Sequence, residues 1–415
     1  MEELFDLELP VRIVRQAERA RFDAVFFADV LRMSGMQIGR DPDRTGYEPL
    51  TLISAMAPLS SHIGLIATAS TTFVHPFHLA RLMSGVDWLS GRRAGWNAVT
   101  STGGGEFFGM ELPPKAERYE RAHEYMDVVN SLWDAGDDDA VVNDRDAGMW
   151  ARRDAVHPID HDGAYYRVMG ELPIPRSPQG RPVIVQAGQS PEGLAFAARH
   201  AEIVFTAQTE LGSAQAFYAE LKERAAAEGR DPERIRVLPG VTPIVAPTTE
   251  QARGIATSLG GYADVESGRA ELSAAFHLDL AGLDPDLPVP IERMPDPGAA
   301  RDEAARGSRY RNIHDLAVRD RLTLRELIVV NDLTLGHRLE IGTPGDVSDA
   351  LQEWFDERAC DGFVVAPATV PEGLDSVCDL LMPELRRRGL AKTEYTGRTL
   401  RQNLGLERPH PQGRR

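Results

Sequence analysis

Short apolar runs alternate along the chain with stretches whose apolar positions recur every three or four residues. The clearest runs are 24–28, 63–70, 94–100, 182–187, 202–206, 236–246 and 362–366. Most are apolar nearly throughout, the pattern of parallel strands buried on both faces. Between them, 10–21 sets Val11, Val14, Ala17 and Glu18 at helical spacing, and 76–89 stops just before Gly91. Further helices are expected over 116–133 and 343–358, the latter with Thr343 as N-cap and Pro344 at its first position. Residues 49–80 hold no Asp, Glu, Lys or Arg, but Pro58, Gly64 and Pro76 interrupt them. That segment reads as helix, turn, buried strand and loop, not as a membrane span.

Strand–helix alternation over the whole length predicts an α/β fold with a parallel sheet, of the TIM-type (β/α)8 barrel kind. The count is one short: seven runs are found, and the first element is a helix. The expectation is a barrel lacking its first strand, either open or begun upstream of Met1. Two rim insertions are expected in a single 1–415 domain. The first, about 135–182, is acidic and rich in turns; the second, about 260–331, is rich in Pro and Asp with two short helical patterns. Long insertions at a barrel rim serve as lids or binding loops.

Composition narrows the partners. The chain has 415 residues and a formal charge of −17, with 42% hydrophobic and 26% charged residues. That acidity speaks against nucleic acid or an anionic membrane, which both call for clustered Lys and Arg. The two cysteines, Cys360 and Cys378, make no metal cluster and no disulfide framework, and the acidic start is no signal peptide. A cytoplasmic protein with ordinary buried thiols is the expectation.

The histidine pairs His75/His78 and His157/His161 contain Pro and lack a carboxylate or Cys at a useful offset, so they are read as loop and rim residues and no metal is expected. Gly103-Gly104-Gly105 lacks the following G-K-[ST] of a phosphate loop and reads as a turn. The strongest local signal is Gln186-Ala187-Gly188-Gln189-Ser190-Pro191-Glu192-Gly193. It follows a strand and opens a helix with Ser190 as N-cap. Such a helix start, at the C-terminal face of a barrel, can hold an anion or can simply be capped by Ser190. Asp29, Asn97 and Thr100 also stand at strand C-terminal ends.

Taken together these segments resemble the bacterial-luciferase-like flavin monooxygenases. Within them the chain is similar to the nitrilotriacetate monooxygenase, pristinamycin synthase and dibenzothiophene-sulfone monooxygenase branch. The resemblance is carried by Phe26-Phe27-Ala28-Asp29, Ile66-Ala67-Thr68, Arg93-Ala94-Gly95-Trp96-Asn97-Ala98-Val99-Thr100-Ser101, Glu117-Arg118-Tyr119 and Pro178-Gln179-Gly180. The Gln186 to Gly193 loop, Val204-Phe205-Thr206-Ala207-Gln208 and Thr399-Leu400-Arg401 complete it.

The resemblance implies a barrel that binds reduced FMN supplied by a separate NAD(P)H-dependent flavin reductase. O2 would add to the flavin as a C4a-hydroperoxide and oxidise a small organic substrate. Asp29 and Thr68 would line the flavin ring with Tyr119 nearby, Ser190 would hold the phosphate, and Asn97 is a further candidate. No residue is assigned as catalytic acid or base. The family's first strand is missing here. Lys115 replaces a common His and remains able to contact phosphate, and Gln189 replaces a small residue, with an amide that can donate there. A homo-oligomer is implied as well. The rival readings are an F420-dependent oxidoreductase of the same superfamily and a truncated, non-catalytic flavin-binding remnant.

Overall fold

The computed structural model describes residues 6–29, 31, 46–276, 278–294, 296–297 and 308–411. The acidic N-terminal tetrapeptide and residues 298–307 of the second insertion lie outside this set. The chain opens with α1 (Glu8–Arg19), β1 (Ala24–Phe27), α2 (Pro49–Met56), β2 (Gly64–Ser70), α3 (Pro76–Leu89), β3 (Ala94–Val99) and α4 (Lys115–Trp133). Two antiparallel hairpins follow, β4 (Val141–Asp144) with β5 (Met149–Ala151) and β6 (Ile159–Asp162) with β7 (Arg167–Gly170). Next come β8 (Val183–Gln186), α5 (Pro191–His200), β9 (Ile203–Thr206), α6 (Leu211–Ala227) and β10 (Arg236–Val245). The helices α7 (Thr249–Gly260), α8 (Val265–Phe276), α9 (Ser308–Asp320) and α10 (Leu324–Thr334) lead to β11 (Arg338–Gly342), α11 (Pro344–Asp356) and β12 (Val364–Val365).

The main sheet runs β1-β2-β3-β8-β9-β10-β11, with β12 also on β10, and all its pairings are parallel. Every run read from the sequence is a strand of this sheet. The sheet also holds a strand that no apolar run predicts: β11 pairs with the far half of β10, from Val241 to Val245. The first helix begins two residues earlier than its pattern suggests, at Glu8. Thr343 caps α11 through a capping box with Asp346, as its sequence predicts.

The barrel interior is filled by Ile66, Val183, Val185 and Ile203 from the strands and by Leu400 and Leu406 from the C-terminal segment. Gly64 and Gly95 make the room. A Cβ on Gly95 would lie 2.9 Å from Ile66 and 3.4 Å from Leu400, and one on Gly64 would strike Leu400 outright. Leu400 therefore stops the lower mouth and leaves the C-terminal ends of the strands as the open face. A larger core lies outside the strands, where Trp96, Tyr125 and Trp133 pack between β3 and α4.

Among the described residues β1 and β12 each pair on one side only. Between them runs a slot of about 680 Å³, lined by residues 22–27 from one side and 361–367 from the other. Among the described residues no strand stands in this slot, so the TIM-type barrel has a seam where the first strand is expected. The second insertion differs from a simple loop. Leu272, Leu280, Tyr310, Ile313, Leu327 and Ile328 give α8, α9 and α10 a small core of their own. Asn312 docks it by donating to the carbonyls of Ala207 and Gly336, at 3.1 and 3.0 Å.

Candidate cofactor site

Two groups of polar side chains gather at the C-terminal ends of the strands. The first joins β2 and β3. Thr68 and Asn97 are register partners, both face the interior, and the Asn97 amide donates to Thr68 Oγ1 at 3.0 Å. Asn97 is 3% exposed, and its Oδ1 has no hydrogen-bond partner. A buried acceptor left open in this way is costly unless a donor arrives. Trp96, one residue earlier, points the other way and donates to Ala69 O at 3.1 Å, so it is a packing residue. Asp29 lies two residues past β1, the strand beside β2.

The second group surrounds the start of α5. Ser190 Oγ accepts from the Gly193 N–H at 3.2 Å and Pro191 opens the helix, the cap its sequence predicts. Lys115, the first residue of α4, ion-pairs with Glu192 in the first turn of α5 at 3.1 Å. The Glu192 carboxyl is held below its usual range by its own backbone N–H, by Lys115 and by the Ser190 hydroxyl. One turn along α4, the Tyr119 hydroxyl stands 3.0 Å from the place a Cβ on Gly188 would take. A Cβ on Gly193 would lie 2.9 Å from the Gly188 backbone. Both glycines therefore let two stretches of backbone meet. Gln189 completes the group and is held by Gln208 from the loop after β9.

The structure brings Lys115, Tyr119, Gln189 and Ser190 together around one helix start, and Thr68 and Asn97 together on adjacent strands. Asp29 stands at the end of the neighbouring strand, next to the second of these groups in the sheet order. Three further residues belong to the site although the sequence gives them no distinct role. Gln186 ends β8 with its amide against Gly188, is 3% exposed, and has an open Oε1. Gln208 is the second, at the polar end of an apolar run, and Glu192 is the third. His337 closes over the interior: a Cβ on Gly240 would lie 2.5 Å from its ring, which is also 5.1 Å from that of Phe205. Among the described residues no group of three or more His, Cys, Asp or Glu could hold a metal ion. No described helix is long and apolar enough to cross a membrane.

A parallel α/β barrel with polar side chains gathered at the C-terminal ends of its strands has the architecture of the barrel enzymes, whose active sites lie at that face. The luciferase-like monooxygenase family matches residues 3–361. The chain is 40% identical over 402 residues to N-acetyl-S-(2-succino)cysteine monooxygenase of Bacillus subtilis (strain 168), covering 96% of this chain and 89% of that protein. It is 39% identical over 421 residues to nitrilotriacetate monooxygenase component A of Aminobacter aminovorans, covering 97% and 91%. Its fold superimposes on DmoA from Hyphomicrobium sulfonivorans with a TM-score of 0.84 at 33% identity, over 96% of this chain and 85% of that one. The chain belongs to the luciferase-like monooxygenases and is a flavin-dependent monooxygenase.

Proposed function

We propose that this chain is a single-domain oxygenase component that takes reduced FMN from a separate NAD(P)H-dependent reductase and oxidises a small organic molecule with O2. The observation that carries this reading is the pairing of unlike ends. Hydrogen-bond donors and an ammonium meet at the start of α5, while two buried acceptors, Asn97 Oδ1 and Gln186 Oε1, stand open at the ends of β3 and β8. A phosphate fits the first, and the N–H groups of a reduced isoalloxazine fit the second. Lys115, Ser190 and Gln189 would hold the phosphate, with Thr68, Asn97, Tyr119 and Asp29 beside the ring. When bound, reduced FMN supplies the two electrons by which one oxygen atom of O2 enters the substrate and the other leaves as water.

The chain's own part is binding, orientation and exclusion of water. Thr68 fixes the Asn97 amide nitrogen and leaves its oxygen open to a donor. The second insertion docks on the loop after β9 and would cover the open face, whereas the first joins the end of α4 to the start of β8 and its Gln179 meets Asp87 and the Ala94 carbonyl at the lower ends of the strands. One relative is by its name component A of nitrilotriacetate monooxygenase, and an enzyme of more than one component supports a separate reductase. The substrates in the relatives' names, from nitrilotriacetate to dimethyl sulfide, support oxidation at or near nitrogen, sulfur or an activated carbon. A homo-oligomer and a cytoplasmic location complete the reading.

Anaerobic titration with reduced FMN, followed by mixing with oxygenated buffer, tests it. Micromolar binding and a slowly decaying oxygenated-flavin absorbance are expected. An absence of FMN binding in the folded chain would overturn it.

A further inference from the structure

Glu192 is placed as an anion would be. It is the second residue of α5, and its carboxylate ion-pairs with the Lys115 ammonium at 3.1 Å beside the two other donors of the helix start, its own backbone N–H and the Ser190 hydroxyl, while its buried Oε2 makes no hydrogen bond. A helix-end N–H, a hydroxyl and an ammonium are the set that recognises a phosphate monoester. We propose that Glu192 is a built-in occupant of this cradle, which the cofactor's phosphate must displace, so that one side chain sets how tightly the cofactor is held. The inference rests on the FMN reading of the same site.

The physical argument is one of competition. The three donors cannot serve a carboxylate and a phosphate at once, and the two like charges repel at contact distance. When FMN enters, Lys115 and Ser190 exchange one anion for another and Glu192 swings out to water. When FMN leaves, Glu192 returns, so the half-buried Lys115 ammonium is never left without a counter-charge. Cofactor affinity is lowered by the contacts Glu192 gives up. That suits a protein which receives reduced cofactor from solution and must release it oxidised. An acid in the first turn also steadies the helix dipole, but that role alone would leave cofactor choice untouched.

The test compares FMN with riboflavin, which lacks the phosphate, by fluorescence quenching on the full chain. Glu192→Gln is expected to tighten FMN about tenfold, the equivalent of one hydrogen bond to a charged group, and to leave riboflavin unchanged. Glu192→Asp keeps the charge but is one methylene shorter, which draws the carboxylate away from Lys115. It is expected to tighten FMN in part, whereas plain charge repulsion predicts no gain. Thermal melts of both variants check folding. If FMN is preferred over riboflavin in the wild type and both variants leave that preference unchanged, the Glu192 proposal is overturned and the FMN reading stands. If neither the wild type nor Glu192→Gln prefers FMN, the phosphate cradle fails and the proposal with it.

Discussion

Gln208 donates its amide nitrogen to the side-chain oxygen of Gln189 across 3.2 Å, so the loop after β9 orients a residue in the loop after β8. The same nitrogen reaches Thr206 Oγ1 at 3.1 Å, and Gln208 Oε1 accepts from Ser213 at 3.0 Å. With its oxygen occupied, Gln189 has its NH2 left to donate to an anion held at the start of α5. Gln208→Met removes that control at similar volume. It is expected to weaken FMN binding by about threefold to tenfold, the range for one neutral hydrogen bond, with riboflavin unaffected. In a Gln189→Ser background the same substitution should have no effect, because a hydroxyl needs no amide to orient it. Loss of riboflavin affinity in step with FMN would reduce Gln208 to a packing residue.

Ser190 combines two roles that two measurements separate. Its oxygen accepts the Gly193 N–H as helix cap, and its proton remains for an anion. Ser190→Ala should lower fold stability by about 1 kcal/mol through the lost cap. It should weaken FMN binding by about 1–3 kcal/mol through the lost charged hydrogen bond. Denaturant unfolding reads the first and ligand titration the second. Unchanged FMN affinity beside lowered stability would leave Ser190 as a cap alone.

The Arg93-Ala94-Gly95-Trp96-Asn97 string is mostly architecture. Arg93 is 3% exposed and donates to the carbonyls of Ala57, Ser60, Ile63 and Ser90 and to Ser60 Oγ, tying the lower ends of β2 and β3. Arg93→Met strands those acceptors and should cost about 3–5 kcal/mol in urea unfolding. Arg93→Lys should recover little of this, because an ammonium cannot copy the planar fork of donors. A loss under about 1 kcal/mol would show that water replaces the side chain.

Burial decides which elements are legible in the sequence. The seven strand runs stand out because parallel strands covered on both faces are apolar throughout. β11 escapes because half-buried Arg338 and Glu340 face the same side and pair with each other, so no apolar run marks it. The second insertion shows only two short helical patterns among frequent Pro and Asp, and its leucines close a core that only tertiary contact reveals. At the site, Ser190 announces itself by position as a helix cap, and Lys115 is singled out only by the family resemblance. Gln208 and Glu192 do not stand out: a polar residue after a strand and an acid in a first helical turn are both commonplace. What distinguishes them is the partner across the fold, Gln189 for one and Lys115 for the other.

The seam between β1 and β12 should show in hydrogen exchange. Each of these strands has one hydrogen-bonded neighbour among the described residues, whereas β2 and β3 each lie between two. Alternate amides of Ala24–Phe27, and those of Val364–Val365, should therefore exchange faster than those of β2 and β3. Protection in β1 and β12 equal to that of β2 would mean that another strand occupies the slot in solution.

Asp87 makes stability depend on pH with a definable sign. It is fully buried on α3, and its Oδ1 accepts from the Ala94 N–H at 3.1 Å and the Gln179 amide at 2.5 Å. Burial pushes the carboxyl up to about 6 from 3.8, against the opposing pull of Ser177, the Ala94 N–H and Gln179. The folded state thus holds this proton more firmly than the unfolded chain. The stability Asp87 contributes is fully present below about pH 4 and is lost as pH rises through about 6. Asp87→Asn keeps an oxygen for both donors and removes the titration. Relative to the wild type it should gain stability between pH 4 and 6 and hold a steady advantage above that. A shift of about two units corresponds to roughly 3 kcal/mol. Urea unfolding of both proteins from pH 4 to 7 measures the difference directly, and parallel stability curves would rule out Asp87 as the titrating group.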